Sequence, residues 1–156
     1  MNVFADEEVK EEFFDFMMEL TDDVEASQFC VELLYVFHKW DDFVDGDPVN
    51  SEDANQAFFL VFSKFQGNTF FRTYEKDLQP LILSSILQWF DANAIEKKGE
   101  PDELRKAYML RANIYQIWAY CVFLLKGYDF YIGMDGLMQT IYNEKYDDYI
   151  KEFTNA

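Results

Sequence analysis

Basic side chains are scarce: 13 Lys and Arg stand against 30 Asp and Glu, a formal net charge of −17. Such a surface repels nucleic acid and anionic lipid, and it lacks the clustered cations that phosphate-backbone binding needs. The same charge favours cations and basic protein surfaces. Histidine occurs once, as His38, which excludes a zinc site built from several histidines. Cysteine occurs twice, and Cys30 and Cys121 have no CxxC spacing. Both lie in apolar helical patterns, which reads as two reduced, buried side chains. Serines are few, and there is no nucleophile elbow, G-x-G-x-x-G or G-x-x-x-x-G-K-[ST]. No stretch reaches the ~20 apolar residues of a membrane span. The opening MNVFADEEVKEEFF is acidic where a secretory signal is basic, so a cytoplasmic location is expected.

What is abundant is aromatic. The chain carries 17 Phe, 10 Tyr and 3 Trp among 156 residues, half of them apolar, which argues for a packed core despite the charge. This length suits one domain, 1–156, with no Ser/Gly/Pro-rich linker to divide it. Alternating patterns are scarce, so the expected fold is all-α, an irregular single-domain bundle of five to seven helices.

The spacing predicts a first helix from about Asp6 to Leu20, with Asp22 and Glu25 forming a capping box for a second. The second carries Cys30, Leu33, Leu34, Phe37, Trp40 and Val44 on one side and ends at Gly46-Asp47-Pro48. Asn50 with Asp53 starts a third, striped by Phe58, Phe62 and Phe65 up to Gly67. Residues 69–79 read either as a helical turn or as a loop. A fourth helix follows Pro80, with Leu83, Ile86, Leu87, Phe90 and Ala94 at helical spacing. Pro101 opens a long fifth helix reaching about Lys126, and a sixth runs from roughly Asp135 to Phe153. Tyr128 to Ile132 is the one place where a short extended piece is expected.

One chemical clue lies on the second helix. His38, Asp41, Asp42 and Asp45 share a narrow sector at spacings of three and four. Relative to Phe37 as the apolar axis, Asp41 lies about 40° and Asp45 about 80° away, edging the core, while His38 and Asp42 point outward at about 100° and 140°. A carboxylate at the core edge is costly unless paired, hydrogen-bonded or metal-bound. Three readings stay open: a divalent-cation site, a carboxylate cluster paired with Arg or Tyr, and a solvated helix end. In the first, Asp41, Asp42 and Asp45 would take Mg²⁺ or Mn²⁺, hard ions used to grip phosphates, and no other cofactor is expected. The Asp41-Asp42-x-x-Asp45 pattern resembles the aspartate-rich helix of class I isoprenoid synthases, over five residues. The second metal motif that such a resemblance implies has only 143–148 as its counterpart, without the required spacing.

The fifth helix sets Arg111 in the middle of an apolar sector with Tyr108 and Tyr115 on either side. An enclosed arginine cannot shed its charge and must find a carboxylate or bound anion, either Asp41 or another core-edge acid, or a ligand phosphate beside the stripe. His38 would serve as a base only with an orienting acid. Phe14 and Met18 widen the apolar face of the first helix, and Tyr142 and Tyr146 alternate with acids in the last; both are candidate partner surfaces.

Three function classes fit. The first is an interaction or accessory protein presenting an acidic, aromatic surface to a basic protein partner or to its own copy. The second is a Mg²⁺- or Mn²⁺-dependent hydrolase or transferase acting on a phosphate or pyrophosphate compound, with Arg111 holding the anion. The third is an acidic mimic of nucleic acid.

Overall fold

The computed structural model describes residues 7–141 and 144–154. They are all-α: among the described residues there is no strand, and seven helices exceed one turn. These are α1 (Glu7–Thr21), α2 (Val24–Asp45), α3 (Ser51–Phe59), α4 (Thr69–Glu96), α5 (Pro101–Ala112), α6 (Tyr115–Gly133) and α7 (Tyr146–Thr154). Helix α3 continues through a π-helical stretch, Leu60–Lys64, into a final turn, Phe65–Gly67, and a single turn, Leu137–Thr140, precedes α7. The chain forms two compact units, Met1–Glu75 and Lys76–Ala156, and each is described by itself.

In the first unit, α1 and α2 pack together and α2 packs on α3. The α1–α2 turn differs from the expected capping box. Asp22 adopts a left-handed φ of 53°, and Asp23 becomes the cap, its carboxylate accepting from the Ala26 amide at 2.7 Å. Glu25 is thereby released, and its carboxylate accepts from the Thr69 amide at 2.8 Å. Thr21 and Ser27 are buried there and satisfy each other, hydroxyl to hydroxyl at 2.9 Å. Phe29 is fully buried against the rings of Phe65, Phe70 and Phe71, with Phe65 edge-on at 5.2 Å. Helix α2 stops at Gly46, whose φ of 82° is open to glycine at little cost. Asn50 caps α3 by accepting from the Asp53 amide at 2.9 Å.

Residues 69–79 are helical and belong to α4, which begins before Pro80 rather than after it. Pro80 leaves the helix one hydrogen bond short, and the departure from helical geometry lies six residues earlier, at Tyr74 (φ −111°, ψ 17°). In the second unit, Ala92, Leu104, Ala107 and Tyr149 form a core cluster joining α4, α5 and α7. The long fifth helix of the sequence reading is broken: residues 113–114 form a turn in which Gln116 and Ile117 bond back three residues, to Asn113 and Ile114, instead of four. The expected extended piece at Tyr128–Ile132 is helical, with the change of direction concentrated in Gly127 (φ 79°, ψ −174°). The sixth predicted helix is divided into the single turn Leu137–Thr140, which starts after the left-handed Gly136 (φ 76°), and α7. Among the described residues, no helix is long and apolar enough to cross a membrane.

Candidate functional site

The C-terminal half of α2 faces the protein with its polar side. Lys39, about 200° around the helix from Phe37, is only 6% exposed. Its ammonium donates to Asp42 at 3.0 Å and lies 3.7 Å from Asp53 of α3. The Tyr35 hydroxyl donates to Asp53 and to Gln56, both at 3.2 Å, and burial followed by the Asp53 charge pushes its pKa up to about 12. Lys39 and Lys10 both stand over the Tyr35 ring, at 5.9 and 5.2 Å. A lysine contributes a long aliphatic stem, so once its charge is matched it fills a helix interface as an apolar residue does.

This arrangement corrects the expected orientation. Trp40 and Val44, placed toward the core by the sequence pattern, are exposed, Trp40 by 48% and Phe43 beside it by 68%. Their rings lie 6.4 Å apart. Asp42, expected to point outward, is turned in toward Lys39, whereas Asp45 is exposed rather than at the core edge. Asp41 and His38 are half-buried. Burial lowers the His38 pKa from its ordinary value, with Asp41 and Asp42 pulling the other way. Among the described residues, no three His, Cys, Asp or Glu side chains are grouped to hold a metal ion.

The same inversion continues on α3. Phe58, Phe59 and Phe62 are exposed, and the rings of Phe58 and Phe62 lie 4.6 Å apart, tilted by 40°, while Leu60 and Phe65 are buried. The predicted Phe58–Phe62–Phe65 stripe is therefore divided, because the π-helical stretch from Leu60 to Lys64 shifts the register of everything after it. From Trp40 to Ser63 the sequence has six acids (Asp41, Asp42, Asp45, Asp47, Glu52 and Asp53) and no Lys or Arg. The exposed aromatics were the residues sequence reasoning missed, and this base-free stretch was the signal available.

Arg111 lies in the second unit, and its partner is Glu96 at the end of α4. Two short bonds join them, Nε to Oε1 and Nη2 to Oε2, each 2.6 Å. Nη2 also donates to Asn93 at 2.7 Å, the Tyr149 hydroxyl donates to Glu96 at 2.6 Å, and the guanidinium stands 5.8 Å from the Trp89 ring centre. The Glu96 charge and burial raise the Tyr149 pKa, burial being the larger cause. Tyr108 donates to the Glu144 backbone carbonyl at 2.5 Å and packs on the Tyr149 ring at 5.4 Å, and Tyr115 packs edge-on against Trp118 at 4.6 Å. Burial raises both of these tyrosines, Tyr115 to about 12. The other surface candidates are scattered: Phe14 and Met18 are half-buried on α1, and Tyr146 packs on Tyr108 at 5.4 Å. Tyr142 lies outside the described residues.

No protein-family model, curated protein or solved structure matches the chain.

Proposed function

We propose that the protein is a non-enzymatic interaction protein that presents the acidic, aromatic end of α2 to a basic protein partner. The observation that carries this reading is the inversion at Lys39. The cation is spent inside the fold on Asp42 and Asp53, while Trp40 and Phe43 face outward. Fully burying a large apolar side chain is worth about 1.5–3 kcal/mol, and covering the exposed part of each ring would add the share of it that the isolated fold does not gain. Trp is among the residues that most often form the energetic centre of protein interfaces, inside a polar rim. With Asp41, Asp45 and Asp47 nearby in sequence and no base from Trp40 to Ser63, a second copy would meet like charge here. A partner helix with apolar side chains flanked by Lys and Arg gains from both features.

The test is a fluorescently labelled Leu/Lys amphipathic peptide titrated against the full chain. A protein of charge −17 attracts any polycation, so the informative contrast is wild type against W40S/F43S, which leaves the charge alone. The reading expects at least a tenfold weakening in the variant. Equal affinity for both proteins would refute it.

A further inference from the structure

Helix α4 is apolar on two opposite sides. Beyond Tyr74, its buried positions Leu78, Ser85, Trp89, Ala92 and Glu96 recur at intervals of seven, four, three and four, an inward-facing seam. Leu83, Leu87, Phe90 and Ala94 recur at four, three and four and are all exposed. A helix with apolar side chains on both faces is ordinarily covered on both. The interval pattern of the outer face is that of a seam between two helices.

We infer that this outer face of α4 pairs antiparallel with the same face of a second copy of the chain. Three observations choose a second copy over another occupant. From Gln79 to Phe90 the sequence has no charged residue, although 28% of the whole chain is charged. A basic partner would gain nothing from such a stretch. It is a place where two molecules of charge −17 can approach without setting carboxylates against each other. The outer face is also its own complement. A two-fold contact requires a pattern that reads the same from both ends. Intervals of four, three and four do so, setting Leu83 opposite Ala94 and Leu87 opposite Phe90, a large residue facing a small one at each end of the seam. The charges then select the direction. A parallel pair sets Asp91 against its own copy, whereas the antiparallel register sets it opposite Ile86, and antiparallel macrodipoles also attract.

This contact uses no residue of the α2 surface, so the two proposals fail separately. Sedimentation of the full chain over a concentration series is expected to show a monomer–dimer equilibrium. L83S/L87S should raise the dissociation constant at least tenfold with an unchanged far-UV circular dichroism spectrum, and W40S/F43S should leave it unaltered. Direction is read by oxidative cross-linking: L83C/A94C should form covalent dimers efficiently and L83C alone should not. A wild type that stays monomeric at every concentration, a dimer indifferent to L83S/L87S, or efficient cross-linking of L83C alone would each overturn the proposal. Loss of the dimer in W40S/F43S but not in L83S/L87S would overturn it too, moving self-association to the α2 surface.

Discussion

The guanidinium of Arg111 and the carboxylate of Glu96 meet fork to fork, with Nε and Nη2 each 2.6 Å from an oxygen, in a site where Glu96 is only 6% exposed. The Asn93 side-chain oxygen accepts a further hydrogen bond from the guanidinium and the Tyr149 hydroxyl donates to one carboxylate oxygen, so the pair links α4, α5 and α7. Planar bidentate geometry of this kind is specific to arginine.

Breaking that pair from either side strands a buried charge. R111A and E96A are each expected to lose about 3–5 kcal/mol of stability, measured by urea unfolding. The double variant R111M/E96M, which removes both charges and keeps apolar volume, should lose much less than the sum of the singles. Additive losses would mean that the two residues do not act as a unit.

Lys39 makes the parallel case in the first unit. D42N/D53N leaves its buried ammonium without a full negative charge and should destabilise the chain by about 3 kcal/mol or more. K39M, which keeps the stem and drops the charge, should cost less than D42N/D53N in the same unfolding experiment.

Acid should weaken the fold partly through His38. Its pKa is lower in the folded chain, chiefly by burial, so between that value and about 6.5 the unfolded chain binds more protons. Stability from this group is therefore complete above about pH 6.5 and declines as pH falls toward the folded value. Melting temperature should drop more between pH 7.5 and pH 5.5 for wild type than for H38Q. An equal drop would remove His38 from the acid response.

Much of the fold was legible because its signals are local. The left-handed Gly46, the Asn50 cap and the Pro101 start each rest on one residue's backbone chemistry, and all three appear in the structure. Signals that depend on what lies opposite were not legible. The helical wheel of α2 identified an apolar side from Phe37, Trp40 and Val44, but whether that side turns inward depended on α3 offering Asp53 and Gln56 to Tyr35 and Lys39. The divided phenylalanine stripe on α3 depends on an insertion of π-helical geometry that no single residue announces. Arg111 was readable as an enclosed cation, yet Glu96 was hidden in the polar run Glu96 to Glu100, which reads as a helix end.

Asp42 is committed to Lys39, and among the described residues Asp41, Asp42 and Asp45 do not form a group that could hold a metal ion. Millimolar Mg²⁺ or Mn²⁺ should shift the melting temperatures of wild type and D41A/D45A equally. A rise confined to wild type would point to the cation-dependent class instead.

The most direct test of the central claim is collisional quenching of tryptophan fluorescence. Of the three tryptophans, Trp89 and Trp118 are buried and Trp40 is exposed, so a neutral quencher such as acrylamide chiefly reports Trp40. At a saturating concentration of the Leu/Lys amphipathic peptide, the account predicts that quenching falls to the level set by the two buried rings. Undiminished quenching at saturation would show the peptide held by charge alone with Trp40 still in water, and would contradict the account.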